Sequence, residues 1–129
     1  MNTEVGVVLP ELRILATPTF VVSTAVATRD FQDVHHDRDQ AARRGSKDIF
    51  VNILTTTGLV QRYVTDWAGP AAVVRDISVR LGAPCYVYDT LVLTGQVAEV
   101  WSGGCVVAVV GRVGRGDHVT GRVRVGGVQ

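Results

Sequence analysis

The stretch VNILTTTGLVQRYVTDWAGP, residues 51–70, contains the pattern that decides the fold. Five apolar side chains recur in it at helical spacing: Ile53, Val60, Tyr63, Val64 and Trp67. This spacing predicts one long helix over residues 51–68, which Gly69 and Pro70 end. The threonines at 55–57 have low helix propensity, so packing against other elements must stabilise that turn. The pattern therefore indicates a helix with one buried face that another layer covers.

Downstream of this helix, the apolar residues recur with a period of two, which is typical of strands. The pattern predicts four strands, over residues 73–81, 86–101, 105–113 and 118–125. The last three are joined by tight turns at 102–104 and 114–117, so they must form an antiparallel meander, because parallel neighbours need long crossovers. The long helix is the only large cover for the sheet. The sequence predicts an α+β protein with the hotdog fold, a long central helix wrapped by a curved antiparallel sheet.

Two shorter helical segments precede the long helix. Ser23 is predicted to cap a helix that runs through Ala27 and ends near Asp30. A second turn over residues 36–44 is expected to stop at Gly45, because glycine tolerates positive φ. No linker or internal repeat interrupts the 129 residues, so residues 1–129 are expected to form a single domain.

The composition restricts the partners that this chain can have. Its 13 Lys and Arg residues against 12 Asp and Glu residues give a net charge of +1, and no basic block is long enough to follow a phosphate backbone. No apolar run reaches the ~20 residues of a membrane span, and the start MNTEVGVVLPE does not resemble a signal peptide. We therefore expect a cytoplasmic protein that binds neither nucleic acid nor membrane. Cys85 and Cys105 are expected to be free, buried thiols.

The densest run of ionisable side chains is RDFQDVHHDRDQA, residues 29–41. It resembles the signature D-x-N-P-[apolar]-H-x5-[AS] of the MaoC-like, (R)-specific enoyl-CoA hydratases. The acid, the apolar residue, the imidazole and the small residue match at Asp30, Val34, His35 and Ala41, whereas residues 32 and 33 are Gln and Asp in place of Asn and Pro. Residues 29–70 are also similar to the small subunits of actinobacterial hydratases that act on steroid side-chain CoA thioesters.

The resemblance implies that the chain adds water to a 2-enoyl-CoA thioester. This reaction needs a base that takes a proton from water and an acid that supplies one at the α-carbon. By resemblance, Asp30 and His35 are this catalytic pair, and which of the two is the base stays open. Gln32 stands in the place of an amide that orients the carboxylate or the substrate.

The start of the long helix is predicted to bind the substrate as well. The first N–H groups of a helix have no partner within it, and they favour the negative charge that develops on the thioester oxygen. Asn52 and Ile53 stand where the family usually has His-Gly, and the Ile53 N–H is the predicted donor. The alternative, in which Asn52 only serves the helix start and Ile53 belongs to the core, stays open.

No metal and no redox cofactor is expected, since CoA is part of the substrate. His36 and Asp37 adjoin His35, but adjacent residues point in different directions and no further ligand cluster exists. Residues 36–39 are instead expected on the solvated face of the short helix. His118, which precedes Thr120 and Arg122 on a strand, is expected to be a surface histidine.

A single hotdog leaves its substrate tunnel incomplete. The resemblance implies a second MaoC-like hotdog polypeptide in a hetero-oligomer, and a homodimer remains possible. Two other functions stay open at this point. The chain is compatible with a hotdog acyl-CoA thioesterase, and also with a non-catalytic hotdog subunit that stabilises a partner.

Overall fold

The computed structural model describes residues 3–127, which form one five-stranded sheet and three α-helices. In chain order the elements are β1 Leu12–Leu15, α1 Pro18–Ala27, a 3-10 turn Asp33–His35, α2 Arg38–Arg43, α3 Ile53–Ala68, β2 Val73–Leu81, β3 Thr90–Trp101, β4 Gly104–Val113 and β5 Gly116–Gly126. The strands lie in the order β1-β3-β4-β5-β2, and every neighbouring pair is antiparallel. The predicted meander of the last three strands is confirmed.

Helix α3 supplies one side of the core, as its pattern predicts. Its buried residues are Thr55, Thr56, Leu59, Val60, Tyr63, Val64 and Ala68. Its start is the Asn52 cap rather than Val51, and Gly69 ends it with a φ of 92°. The assignment of Ile53 to the buried face was wrong, because this first helical residue lies at the rim and is 50% exposed. Packing does hold the threonine turn, since Thr55 and Thr56 are both buried.

The strands differ from the prediction most at β3 and β1, whereas β4 begins one residue earlier and β5 extends two residues further at its start and one at its end. Strand β3 begins at Thr90 rather than at residue 86, because residues 86–89 form a turn in which the Tyr86 N–H donates to Asp89 Oδ2 at 2.8 Å. Tyr88 has a φ of 73° in this turn, which a strand cannot accommodate. The edge strand β1 was not predicted, since its four residues are too few for a recognisable alternation.

The first helix also starts earlier than predicted. Thr17 caps α1 by accepting a hydrogen bond from the Phe20 N–H at 3.1 Å, and Pro18 occupies the first helical position, which suits proline. Ser23 therefore lies inside the helix, and the prediction that it caps α1 was wrong. Helix α2 is capped by Asp37, and Gly45 follows it with a φ of 84°, as expected.

Cys85 and Cys105 are free and buried, which confirms their prediction. Burial raises the pKa of the Cys85 thiol to about 12, so this sulfur stays protonated at neutral pH. Among residues 3–127, no helix has both the length and the apolar character that crossing a bilayer requires.

Candidate active site

The C-terminal end of α1 aims Asp30 at the start of α3. The Asp30 N–H donates to the Ala25 carbonyl at 2.9 Å and the Arg29 N–H to the Val26 carbonyl at 3.0 Å, which is the Schellman pattern of helix termination. Arg29 adopts a φ of 57° in this motif, a conformation that glycine normally supplies. Such strain is held where the surrounding structure requires one backbone path. The chain therefore leaves α1 in a single direction.

Asp30 and His35 converge on one cleft, as the motif predicts. The cleft has a volume of about 290 Å³, and its walls include Asp30, Gln32, His35, Phe50, Ile53 and His118. Asp30 Oδ2 lies 3.6 Å from His35 Nε2, and the two side chains are 20% and 9% exposed. A separation of 3.6 Å is too long for a direct hydrogen bond, so both atoms keep capacity for a third group in the cleft.

The hydrogen bond at the other side of the ring sets the tautomer of His35. His35 Nδ1 lies 2.7 Å from the Phe50 carbonyl oxygen, which only accepts, so Nδ1 carries a proton. In the neutral ring, Nε2 then presents a lone pair to the cleft beside Asp30. The edge contact of the ring with Phe50, at a centroid distance of 4.8 Å, holds its orientation.

The amide side chains of Gln32 and Asn52 do not lie where the sequence placed them relative to Asp30. Gln32 is exposed at the cleft, and only its backbone N–H reaches Asp30, at 3.3 Å from Oδ1. Asn52 is 2% exposed and donates from Nδ2 to Asp30 Oδ2 at 3.2 Å and to Thr28 Oγ1 at 2.8 Å. Asn52 thus serves the helix start, the alternative that the sequence left open, and it contacts the Asp30 carboxylate rather than the space where a substrate would lie.

Ile53 lines the cleft as the first residue of α3. Its N–H belongs to the first turn, whose donors have no partner within the helix. No acidic side chain lies in that turn to compete for the positive end of the helix dipole. A negatively charged oxygen in the cleft would therefore find a donor here.

His118 is a buried part of this cleft, so its prediction as a surface histidine was wrong. The register of β4 and β5 moves from Gly111 opposite Val119 to Arg112 opposite Asp117, which makes His118 an extra residue at a β-bulge. The bulge breaks the alternation and turns this side chain inward, where it is 2% exposed. Its Nδ1 donates to the Ala83 carbonyl at 2.8 Å, and its Nε2 lies 2.8 Å from Thr56 Oγ1.

Residues 36–39 fit their prediction only in part. Arg38 and Asp39 are exposed, and Arg38 pairs with Asp48. His36 is half-buried with Nε2 at 3.0 Å from the Phe31 carbonyl oxygen, and Asp37 caps α2. Within the described part of the chain, no group of three or more His, Cys, Asp or Glu side chains is arranged to hold a metal ion.

Sequence reasoning missed two parts of the site. The Phe50 carbonyl fixes the His35 tautomer, but a backbone oxygen has no signature in the sequence. The imidazole of His118 is a group that can exchange protons, but the strand periodicity alone was used to assign this residue to the polar face. The glycine and proline residues at 82 and 84, which line the cleft, were a usable signal that the chain bends back there.

Known proteins resemble the chain over nearly its whole length. The family model for the MaoC-like domain matches residues 6–119. The 3-oxo-4,17-pregnadiene-20-carboxyl-CoA hydratase beta subunit of Mycobacterium tuberculosis is 64% identical over 123 residues, 95% of each chain. A chain in the crystal structure of the ChsH1-ChsH2 complex from Mycobacterium tuberculosis is 62% identical with a TM-score of 0.96, over 99% of this chain and 100% of that one.

The (R)-hydratase from A. caviae involved in PHA biosynthesis shares the fold at 20% identity, with a TM-score of 0.84 over 95% of this chain and 96% of that one. These similarities confirm the hotdog prediction. Together with the sheet, the central helix and the cleft, they show that this chain belongs to the MaoC-like domain family.

Proposed function

We propose that this chain is the catalytic subunit of an enoyl-CoA hydratase that adds water to a steroid side-chain 2-enoyl-CoA thioester. The observation that carries the proposal is the convergence of Asp30 Oδ2 and His35 Nε2, 3.6 Å apart, at one cleft. The substrate class follows from the 64% identity to a beta subunit that acts on 3-oxo-4,17-pregnadiene-20-carboxyl-CoA.

In the proposed reaction, one water molecule binds between the carboxylate and the imidazole. Its oxygen forms a bond to the β-carbon while one of its protons passes to the pair, and the pair delivers one proton to the α-carbon. The π bond between the α- and β-carbons supplies the electron pair for the new C–H bond, so the step is redox-neutral and needs no oxidant or reductant. Positioned acid–base groups of this kind contribute about 10²- to 10⁴-fold in rate.

The thioester oxygen gains negative charge as the β-carbon is attacked. The Ile53 N–H is the proposed donor to this oxygen, supported by its place at the cleft and by its position as the first residue of α3, where an N–H has no acceptor within the helix. Because this donor is a backbone group, the role does not depend on which side chain stands at position 53.

A second hotdog polypeptide completes the pocket in this proposal. The cleft of about 290 Å³ is at the lower end of pockets for drug-sized ligands, which occupy about 300–1,000 Å³, and a steroidal acyl-CoA is larger. Two exposed apolar side chains line the cleft, Ile53 at 50% and Leu81 at 41%, and the neighbours in sequence of two lining residues, Phe31 and Leu54, are also exposed, at 66% and 55%. The description of the relative as a beta subunit supports a hetero-oligomer. The proposed location of this hetero-oligomer is the cytoplasm.

The test is a hydration assay on the chain co-purified with its native partner. With a steroid 2-enoyl-CoA, the conjugated enoyl absorbance should disappear without release of free thiol. Asp30→Asn should lower kcat by at least ~100-fold, whereas the exposed carboxylate variant Asp39→Asn should not. Thiol release would instead identify a thioesterase, and full turnover in Asp30→Asn would identify a non-catalytic subunit. Recovery of the active chain alone would favour the homodimer.

A further inference from the structure

The side-chain amide of Asn52 connects three segments of the site. Its Nδ2 donates to Thr28 Oγ1 at 2.8 Å and to Asp30 Oδ2 at 3.2 Å. Its Oδ1 accepts from the Thr55 N–H at 3.3 Å and from the Thr55 hydroxyl. The end of α1, the catalytic carboxylate and the first turn of α3 are therefore joined through one side chain that is 2% exposed.

These contacts leave the amide a single orientation. An amide nitrogen has two N–H groups, and both are used, by Thr28 and by Asp30. Reversing the amide would place Oδ1 against the Asp30 carboxylate and Nδ2 against the Thr55 N–H, so these two contacts would become repulsive, whereas the hydroxyls of Thr28 and Thr55 can donate or accept. Burial keeps water from replacing these bonds. The donor that faces Asp30 is thus preorganised.

The motif would assign the contact with the Asp30 carboxylate to the side chain of Gln32, but this side chain does not make it. The Gln32 side chain is exposed, and among the described residues its amide group makes no hydrogen bond. Only its backbone N–H reaches Asp30 Oδ1. Every side-chain N–H that the described residues donate to Asp30 therefore comes from Asn52.

We propose that Asn52 is a positioning residue that holds Asp30 Oδ2 toward His35, and that it performs the carboxylate-orienting role of the amide that the MaoC-like motif has at position 32. The inference rests on the proposed hydration and adds to it the group that orients its carboxylate.

The test uses Asn52→Asp in the co-purified complex. Asp is as good a helix cap as Asn, so α3 keeps its start, but the donor to Asp30 is replaced by a like charge. We expect kcat to fall about 10- to 100-fold while KM changes by less than about threefold, and the acid limb of the kcat–pH profile to move to higher pH. The matched control is Asp37→Asn at the cap of α2, which should leave both the rate and the profile unchanged.

A second variant covers the case in which Asn52→Asp does not fold. Thr28→Val removes the acceptor that holds the other N–H of the amide, and it should lower kcat severalfold while KM changes by less than about threefold. A wild-type kcat in each variant that folds, with its thermal stability lowered, would overturn the proposal and leave Asn52 a helix cap only. Activity in Asp30→Asn would reject the proposed function itself, so the two failures are distinguishable.

Discussion

The surroundings of His35 and His118 are alike on one side of the ring and different on the other. Each Nδ1 donates to a backbone carbonyl, that of Phe50 at 2.7 Å and that of Ala83 at 2.8 Å, and both residues line the same cleft. His35 Nε2 faces Asp30 at 3.6 Å without a direct hydrogen bond, whereas His118 Nε2 is bonded to the Thr56 hydroxyl at 2.8 Å.

Under the proposed reaction, this difference separates a reactive imidazole from a structural one. A ring whose second nitrogen is open to the cleft can exchange a proton with a bound water, and a ring bonded at both nitrogens cannot do so without breaking a contact. His118 instead joins the β5 bulge to α3 through Thr56 and to the loop after β2 through Ala83. Neither burial nor proximity to the cleft is therefore sufficient to distinguish the proposed catalytic histidine from the other one.

The largest expected effect is that of His35→Asn on turnover. Asn keeps a donor near the position of Nδ1 for the Phe50 carbonyl but has no group in the place of Nε2. We expect kcat of the complex to fall at least ~100-fold, with a loss of unfolding free energy of about 1 kcal/mol. Steady-state hydration kinetics and denaturant unfolding measure the two quantities. Retention of more than a tenth of the wild-type kcat would contradict the assignment.

His118→Asn should show the opposite balance. The change keeps a donor for the Ala83 carbonyl and leaves the buried Thr56 hydroxyl without its partner, which costs about 1–3 kcal/mol. Because no proton passes through His118, kcat should fall by less than about tenfold. Urea unfolding and the same hydration assay test this, and a ~100-fold loss of kcat in a fully stable variant would make His118 catalytic.

The pH dependence of stability gives a third way to separate the two rings. Burial lowers the pKa of His118, although the bond to Ala83 and the nearby Asp89 oppose this shift. Because the pKa of His118 is lower in the folded chain, the unfolded chain binds a proton on this ring at a higher pH than the folded chain does. The unfolding free energy is therefore not reduced by His118 above about pH 6.5, and it decreases as the pH falls toward the folded pKa, by at most about 1.4 kcal/mol per pH unit. His118→Asn should lack this part of the slope in unfolding measured from pH 7 to 5. Parallel slopes would show that His118 does not contribute.

The smallest expected effect is that of Thr56→Val. The substitution is close to isosteric and removes only the hydroxyl that bonds His118 Nε2, so unfolding free energy should fall by about 1 kcal/mol. Combined with His118→Asn, it should cost less than the sum of the single changes, because both remove the same contact. Additive losses in this double-mutant cycle would mean that the hydrogen bond contributes nothing to stability.

Much of the fold follows from local pattern. The helical spacing of Val60, Tyr63 and Val64 and the tight turns at 102–104 and 114–117 predicted the central helix and the meander, because each signal depends on neighbours in the chain. The errors have local causes too. Strand β1 is too short to show a period, and the bulge at His118 interrupts the alternation from which its exposure was inferred.

By itself, the sequence determined the hotdog architecture and the pairing of a carboxylate at 30 with an imidazole at 35. Both predictions depend on patterns of residues that are close together along the chain. Only the tertiary structure decided which amide contacts Asp30 and which histidine keeps an open nitrogen. Asn52 is 22 residues from Asp30, and Thr56 is 62 residues from His118. Contacts over such separations are determined by how α3 and β5 pack around the cleft, and no local pattern encodes that packing.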